Sequence, residues 1–460
     1  MVIRVTWVQP EDLIRHELWQ AAQEGRSVAA IRNRWLAAGG AIDPPAAGAS
    51  AEIGTEQQRT LARQLLDELD ALPDPTAGSE PSDWPDIRAA IGGPATAGRS
   101  TGPGAAAGDR RDRVCGGWIG RAVGCVLGKP VEKIPRAGIE AILRSTGRWP
   151  LRSYFTAVGL DPAVTDRWPW NRASRATSLE ENIDGAPEDD DLNYTLMALR
   201  LLERHGADFD SDDVANGWLL DLPAGRAFTA ERVAYRNLLN GLTPPQTGRV
   251  GNPFREWIGA QIRTDLYGWV NPRDAVRAAE WACRDAVVSH TRNGVYGAMF
   301  VAAMASEALV DTDIGRVIDV GASVVPAGSR MADAIRLGRR LAADEAEPAD
   351  AYPLLEAAFP GMHWVHSLNN TALVSYALAA GAGDFARSIC LAVMGGWDTD
   401  SNGATVGAVL GAMTGAAGLP PYWVQPLRGG LSSSVPDGGG LSFDELTERT
   451  LAVADRVRPR

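Results

Sequence analysis

The sequence predicts an all-α protein, and two observations support this fold class. Apolar residues recur at helical spacing in alanine-rich segments such as DLNYTLMALRLLERHG and DAVRAAEWACRDAVVSH, which Gly, Pro and Asp separate. Alternating stretches rich in β-branched side chains, which are typical of strands, are few. The chain has 460 residues, and its 45% of hydrophobic residues suffices for a sizeable core. We therefore expect a compact multi-helix domain with its functional residues at helix ends and in loops.

The first 91 residues predict a small N-terminal helical module. Three segments with apolar residues at helical spacing mark its helices: residues 13–19, residues 28–35, and TEQQRTLARQLLDELDAL. Residues 92–108, GGPATAGRSTGPGAAAG, have almost nothing to bury and predict a flexible linker. The large domain is then expected to cover residues 109–460.

Composition and charge argue against several classes of function. The formal net charge of −12 is unlike the basic surface of a nucleic-acid-binding protein, although local Arg side chains or metal ions can still hold small anions. The four Cys residues contain no CxxC pair and fit neither a zinc site nor a disulfide framework, which favours free buried thiols. The N-terminus lacks a signal-peptide core, and no apolar stretch reaches transmembrane length. We expect a soluble cytoplasmic protein that binds neither nucleic acid nor membranes.

Four consecutive acids, EDDD at residues 188–191, precede a predicted helix. Leucines follow them at helical spacing, so the acids lie at the helix N-terminus. Helix capping and the helix dipole account for one or two acids there. Four adjacent carboxylates repel one another unless a cation lies among them, which favours metal binding.

A second acidic cluster lies in GGWDTDSNGATVGAVLGAMTG. Its start resembles a calcium-binding EF-hand loop, but Val409 stands at the twelfth position, where a bidentate Glu is needed. A phosphatase-type Asp-x-Asp nucleophile would follow a buried strand, whereas the preceding FARSICLAVMGGW is more typical of a helix. A helix N-cap at Asp400, Ser401 or Asn402 is expected in any case, but it leaves Asp398 unexplained.

A glycine stripe follows the second cluster at four-residue spacing, with Gly403, Gly407, Gly411 and Gly415. Each glycine inside a helix costs about 1 kcal/mol relative to Ala, so the stripe is expected only where another backbone approaches closely. This helix should be central, and carboxylates at its buried N-terminus need cations. Carboxylates and hydroxyls are hard ligands, and neither cluster contains His. If the two clusters face each other, they would hold a pair of Mg²⁺, Mn²⁺ or Ca²⁺ ions rather than zinc.

Three segments in order resemble the ADP-ribosylglycohydrolase family: GGWIGRAVGCVLGKPVE, PEDDDLNYTLMAL, and the second acidic cluster with its glycine stripe. The resemblance spans about residues 112–425 and implies an all-α ADP-ribosylglycohydrolase-like domain with two Mg²⁺ ions, or Mn²⁺ in their place. The residues that match the family's metal ligands are Asp189, Asp190, Asp398, Asp400 and Ser401. Glu188 falls where the family usually has a ligating Thr, and Glu132 matches a Glu with substrate-gating or acid/base roles. Without the resemblance, Glu132 would be interpreted as a surface residue after a turn.

The resemblance implies a metal-dependent hydrolase that cleaves an N- or O-glycosidic bond to ADP-ribose on a protein or a small molecule. Glu132, Asp189 and Asp398 are the candidates for proton transfer. One alternative is a hydrolase of another ribosyl compound, such as a nucleoside or modified nucleotide, and a second is a non-catalytic, crystallin-like member. Two departures bear on the substrate: EDDD replaces the family's TDDT, and Trp397 is an extra residue before Asp398.

Several further residues are candidates for substrate contact, although structural roles explain each of them about as well. His290 stands where related enzymes have a His near the substrate ribose. The other candidates are Asn293, Gly294, Tyr296, His366 and Asn369, with Asn370 beside them. Arg263 is similar to the Arg of the family's Gly-x-x-x-Arg segment, and we expect it to form a structural ion pair. The polar stretch at residues 168–187 is a candidate rim or lid of the pocket.

Overall fold

The computed structural model describes residues 4–45, 48–91, 107–344, 347–436 and 439–458, and nearly all of its regular structure is helical. Within these residues the only strands are β1 (Gly430–Leu431) and β2 (Leu441–Ser442), which pair antiparallel. The prediction of an all-α fold is confirmed. The phosphatase alternative fails because a helix, and not a strand, precedes the second acidic cluster.

The segment predicted as the N-terminal module contains α1 (Pro10–Gln23), α2 (Ala29–Ala37), α3 (Glu56–Asp70) and α4 (Trp84–Ala90). The first part of the large domain contains α5 (Ala107–Gly128), α6 (Arg136–Ser145), α7 (Pro162–Arg167), α8 (Arg172–Ser178), α9 (Asp190–His205), α10 (Ser211–Asp221), α11 (Thr229–Leu239), α12 (Gln246–Arg249), α13 (Asp265–Trp269) and α14 (Ala275–Ala286). The second part contains α15 (Arg292–Ala308), α16 (Ile314–Ser323), α17 (Arg330–Ala343), α18 (Pro348–Ala358), α19 (Ser367–Gly381), α20 (Phe385–Met394), α21 (Thr399–Thr414), α22 (Pro421–Val424) and α23 (Phe443–Val457). Single 3₁₀ turns include Lys129–Val131 after α5 and Ile258–Arg263 before α13.

Two glycine-rich helices, α5 and α21, cross at the centre of the large domain. The glycine stripe of α21 faces a second stripe on α5, so that Gly120 lies against Gly407 and Gly124 against Gly403. A Cβ atom on either member of these pairs would collide with the backbone carbonyl of the other. The sequence predicted a close backbone neighbour for α21, and the structure identifies it as α5.

This crossing brings functional helix ends together. Thr399, the first residue of α21, donates its hydroxyl to the carbonyl of Gly128, the last residue of α5, at 2.8 Å. Arg121, on the buried part of α5, donates its Nε to the Asp191 carbonyl at 2.8 Å and so holds the first turn of α9. The end of α5 and the starts of α9 and α21 therefore meet in one place.

The N-terminal module packs directly on the large domain through buried ion pairs. Arg255 donates two hydrogen bonds to the Glu17 carboxylate, at 2.7 and 2.9 Å, and also pairs with Glu24 at 2.7 Å. Arg330, at the start of α17, pairs with Glu80 at 2.7 Å. Most of the predicted linker, residues 92–106, lies outside the described residues, and α5 begins at Ala107 within its last two residues.

All four cysteines are free and buried. Burial raises the pKa of the Cys125 thiol well above its ordinary value, and neighbouring carboxylates add to the effect. This thiol is therefore protonated and unreactive at neutral pH. Within the described ranges, every helix is either too short or too polar to cross a bilayer.

Candidate active site

A cavity of about 420 Å³ opens where α5, α9 and α21 meet, and we call it the acidic cavity. Its size is within the range of small-molecule sites, which is about 300–1,000 Å³. Carboxylates from four parts of the chain line it: Glu132, Glu188, Asp189, Asp190, Asp191, Glu231, Asp398 and Asp400. The two acidic clusters that the sequence singled out therefore face a common space.

The first cluster is ordered by the start of α9. Asp189 is the N-cap residue, and its carboxylate accepts a hydrogen bond from the Asp191 backbone N–H at 3.0 Å. The Asp191 side chain points to the interior, where it accepts hydrogen bonds from Arg121 at 3.2 Å and from the Ser401 hydroxyl at 3.0 Å. Capping thus engages one acid of the four, and Asp191 links α9 to both α5 and α21.

A tight turn between α20 and α21 presents the second cluster. Gly396 and Trp397 both have left-handed backbone conformations, with φ of 79° and 61°. This conformation is uncommon for a residue with a side chain and is found disproportionately at functional sites. The Trp397 ring packs edge-on against Phe359, with centroids 6.3 Å apart. Trp397 is therefore part of the turn that places Asp398.

Asp398 occupies the N-cap position of α21, but its side chain makes no capping hydrogen bond. Its backbone N–H is held instead by the Asn370 side-chain oxygen at 3.2 Å. The caps expected at Asp400, Ser401 or Asn402 are not formed, because these residues already lie inside the first turn of the helix. The calcium-loop alternative also fails, since the segment is helical from Thr399 onward.

Three carboxylates lie close enough to share a metal ion. One oxygen each from Asp189, Asp191 and Asp400 lies within 4.8 Å of the others. The sequence analysis placed Asp191 in the acidic run but not among the ligands, although the run of four acids was the signal for it. Asp190 and Asp398 line the same cavity, and Ser401 contacts Asp191.

The electrostatics of these carboxylates fit a cation. Burial, reinforced by Asp189 and Asp191, raises the pKa of Asp190 well above its ordinary value. Burial, reinforced by Glu132 and Asp398, does the same to the pKa of Asp400. Burial and then Glu132 raise the pKa of Asp398 to about 7. Because ionised forms are disfavoured here, a divalent cation would stabilise them. The set of hard oxygen donors fits Mg²⁺ or Mn²⁺.

Basic side chains engage some of the acids but not all. Lys129 donates to the carboxylate of Asp189, and Lys133 pairs with Glu132 at 3.1 Å. Burial acts to raise the pKa of Asp189, but the Lys129 ammonium outweighs it, so the pKa lies below its ordinary value. Sequence analysis did not single out Lys129, although it lies three residues before Glu132.

Glu188, predicted as a metal ligand, is held away from the three clustered carboxylates. Its carboxylate accepts hydrogen bonds from Asn193 at 2.9 Å and from Ser434 at 2.6 Å. Arg226 pairs with its other oxygen at 3.2 Å. Glu188 therefore lines the wall of the acidic cavity with its charge already engaged.

The rim of the cavity includes part of the polar stretch at residues 168–187. Asn171 donates to the Glu132 carboxylate at 2.7 Å, and Ala173 and Ser174 also line the cavity. Glu132 is thus positioned by Asn171 on one side and Lys133 on the other.

Most of the candidate substrate-contact residues lie beside the N-terminal module instead of in the acidic cavity. Asn293 donates to Glu80 at 2.8 Å and to Glu256 at 3.2 Å, and the Tyr296 hydroxyl donates to the carbonyl of Pro81. Gly294 allows α15 to approach the Arg255 carbonyl, which a Cβ atom would meet at 2.5 Å. None of these residues is among the described residues that line the cavity.

The candidate histidines and Asn369 are also buried away from it. His290 accepts or donates one hydrogen bond with Ser289 at 2.8 Å, and burial lowers its pKa well below the ordinary value. His366 caps α19 by accepting from the Leu368 N–H at 3.2 Å. Asn369 donates to the His363 carbonyl at 3.3 Å. Each of these side chains forms one of these internal hydrogen bonds, and each keeps one buried polar atom without a hydrogen-bond partner among the described residues: Nε2 of His290, Nε2 of His366 and Oδ1 of Asn369.

Arg263 forms the structural ion pairs that the sequence analysis favoured. It is buried, pairs with Glu231 at 2.8 Å and contacts the carboxylate of Asp285. It also donates to the Ser289 hydroxyl at 3.0 Å.

Three aromatic residues that were not predicted from the sequence also line the cavity. They are Trp7 from the N-terminal module, Phe228 before α11, and Trp364 before α19. Thr6 lies beside Trp7, and its hydroxyl accepts a hydrogen bond from Arg232 at 2.7 Å. No local pattern identifies these residues, because they come from segments far apart in the chain.

The chain is similar to a solved structure described as an ADP-ribosylglycohydrolase-related protein complex, at 22% identity and a TM-score of 0.44, over 76% of this chain and 100% of that chain. The chain has no match among curated proteins. A family model described as ADP-ribosylglycohydrolase matches residues 106–459, which is well over half of the chain. The chain therefore belongs to the ADP-ribosylglycohydrolase family.

Proposed function

We propose that the acidic cavity hydrolyses an N- or O-glycosidic bond between the ribose of an ADP-ribosyl group and a protein side chain or small molecule. The observation that carries this proposal is the convergence of carboxylates from the starts of α9 and α21 on one cavity. Buried carboxylates without basic partners are expensive, so their arrangement around a cavity favours a catalytic or metal-binding role over a structural one.

The lining of the cavity suits both ends of such a substrate. The carboxylates offer acceptors for ribose hydroxyls, and Mg²⁺ or Mn²⁺ held by Asp190, Asp191, Asp398 and Asp400 would offset the repulsion of a diphosphate. The rings of Trp7, Phe228 and Trp364 line the same cavity and offer faces on which a flat base can stack.

Hydrolysis requires a water, a proton acceptor and stabilisation of the charge that develops at the anomeric carbon. A bound divalent ion supplies Lewis acidity and fixes the positions of oxygen atoms. We assign Asp398 as the proton acceptor, because it lines the cavity and, among the described residues, has no Lys or Arg within ion-pair distance. The water oxygen attacks the anomeric carbon, its proton passes to Asp398, and the leaving group departs with the bonding pair. The remaining carboxylates stabilise the positive charge that develops on the ribose.

The other two candidate acids have distinct positions. Glu132 lies at the rim, where Asn171 and Lys133 fix its carboxylate, so it suits proton transfer to the leaving group or control of substrate entry. Asp189 is a weaker candidate for proton transfer, because the Lys129 ammonium stabilises its ionised form.

The test is hydrolysis by the Asp398→Ala/Asp400→Ala double variant in the presence of Mg²⁺. We expect loss of ADP-ribose release from an ADP-ribosylated protein, by a factor of about 100 or more, with the helical circular-dichroism spectrum retained. The matched control is Asp212→Ala, which removes an exposed acid from the first turn of α10. A double variant that keeps its turnover would show that the acidic cavity is not the active site.

A substrate screen separates the alternatives. Release of free ribose or base from nucleosides or modified nucleotides, without activity on ADP-ribosylated protein, would redirect the proposal to another ribosyl compound. Metal binding without hydrolysis of any ribosyl compound would indicate a non-catalytic protein.

A further inference from the structure

Lys129 places a positive charge inside the acidic cavity. It begins the 3₁₀ turn that follows α5, and its side chain is only 9% exposed. Its ammonium donates to the carboxylate of Asp189 and to the carbonyl of Glu188, the latter at 3.2 Å. Asp189 is one of the three acids whose oxygens lie close enough to share a metal ion. The ammonium therefore occupies one oxygen, Oδ2, of a carboxylate that an ion would otherwise use.

The remaining acids of the cavity divide into two groups. Four are engaged by basic residues: Lys133 contacts Glu132, Arg226 contacts Glu188, Arg121 contacts Asp191, and Arg263 contacts Glu231. Three lining acids, Asp190, Asp398 and Asp400, have no Lys or Arg within ion-pair distance among the described residues. Without Lys129, Asp189 would join them, and four carboxylates would match the charge of two divalent ions.

We propose that the Lys129 ammonium takes the place of one of the two divalent ions implied by the family resemblance, so that the chain binds a single divalent ion. Asp190, Asp398 and Asp400 would hold it, together with Asp191, which would contribute its Oδ2 atom beside Ser401 while its Oδ1 atom stays paired with Arg121. This inference concerns the site of the proposed function and rests on that site being the metal site. An ammonium and a metal ion cannot share the same carboxylate oxygens, because both need them at contact distance.

The backbone at Lys129 is held in place by close packing between α5 and α21, so the contact of its side chain with Asp189 follows from the fold. The residue before it, Gly128, lies against Thr399 and Asp400 so closely that a Cβ atom would collide with their backbone. The crossing of α5 and α21 thus fixes where the Lys129 side chain begins. The contact between Gly128 and the start of α21 therefore positions both the acids of α21 and the Lys129 ammonium, which pairs with Asp189 at the start of α9.

The experiment counts Mn²⁺ ions bound per chain by electron paramagnetic resonance, in the absence of substrate, for the full-length protein and the Lys129→Met variant. We expect one ion for the wild-type protein and two for Lys129→Met. The matched control is Lys133→Met, which removes the other lysine of the cavity, and we expect it to bind one ion.

Two Mn²⁺ ions in the wild-type protein, or none, would overturn the inference whatever the variants do. A Lys129→Met variant that folds, as judged by its circular-dichroism melting curve, and still binds one ion would also overturn it. If that variant does not fold, the wild-type count and an anomalous Mn²⁺ signal in wild-type crystals decide the matter. A protein that binds one ion but releases no ADP-ribose would contradict the proposed function while supporting this inference.

Discussion

At the scale of single residues, the buried carboxylates of the cavity lower the stability of the fold. Asp398 and Asp400 are each 6% exposed, and Asp191 is 1% exposed. Arg121 relieves Asp191, whereas Asp398 depends on hydrogen bonding and on protonation. These buried acids lower the stability of the protein, and we expect that stability to depend on pH.

The Asp398→Asn variant tests this pH dependence in metal-free protein. The Asp398 carboxyl titrates near 3.8 when unperturbed and at about 7 in the fold. The folded state therefore binds the Asp398 proton more tightly than the unfolded state does. The protonated Asp398 side chain stabilises the fold at low pH, and this stabilisation is lost as the pH rises from about 4 to 7. We expect the melting temperature of Asp398→Asn, relative to that of the wild type, to be several degrees higher at pH 8 than at pH 5.

The matched control for this measurement is Asp212→Asn, which changes an exposed acid in the first turn of α10. We expect its melting temperature to track that of the wild type across the pH range. A constant difference between Asp398→Asn and wild type would contradict the raised pKa. Added Mg²⁺ should stabilise the wild type most at pH 8, where the carboxylates are ionised.

At the scale of helices, the crossing of α5 and α21 determines the site. Small residues on both helices allow a backbone contact that a pair of ordinary helices, about 8–10 Å apart, does not reach. This contact puts the last residue of α5 beside the first residue of α21. The acids at the start of α21 therefore depend on glycines along the whole crossing.

The Gly407→Ala variant tests the crossing. A methyl group at Gly407 would collide with the Gly120 carbonyl, so we expect a loss of about 1–3 kcal/mol in the free energy of unfolding, measured with urea. Gly217→Ala is the matched control, because Gly217 lies inside α10 and a Cβ atom there meets only the Met197 methyl at 3.9 Å. That control should gain up to about 1 kcal/mol from helix propensity. Equal effects of the two substitutions would contradict the close contact.

At the scale of the whole molecule, the N-terminal module contributes to the cavity of a domain that it precedes in sequence. Trp7 lines the acidic cavity, and residues 1–91 lie outside the segment that matches the family model. The backbone N–H of Trp7 donates to the Gly48 carbonyl at 2.7 Å, and the Trp7 ring packs edge-on against Phe254 with centroids 5.5 Å apart. The aromatic side of the cavity is thus shared between the module and the large domain.

The Trp7→Ala variant tests this shared wall through the affinity for ADP-ribose, measured by calorimetry. Loss of the stacking contact with Trp7, which would contribute about 1 kcal/mol to binding, should raise the Kd about fivefold. Trp19→Ala, which removes a Trp of α1 that is 43% exposed, is the matched control and should leave the Kd unchanged. A purely structural role for Trp7 would lower the melting temperature in both free and ligand-bound protein without changing the Kd.

The sequence by itself determined the all-α class, the family resemblance and the central helix with its glycine stripe. These features are local: helical spacing, runs of acids and a four-residue glycine repeat are each readable within one segment. It also indicated Asp189, Asp190, Asp398 and Asp400 as candidate metal ligands, because adjacent carboxylates at helix starts repel one another without a cation.

Only the tertiary structure decided which other side chains meet those acids. It brought Lys129 to Asp189 and Trp7 to the lining of the same cavity, and it placed Asn293 and Tyr296 in contact with the N-terminal module and not in the cavity. The physical reason is that contacts between distant segments depend on how helices cross and pack, and no single segment records them. A lone Lys, Trp or His looks the same in sequence whether it faces a substrate or the interior.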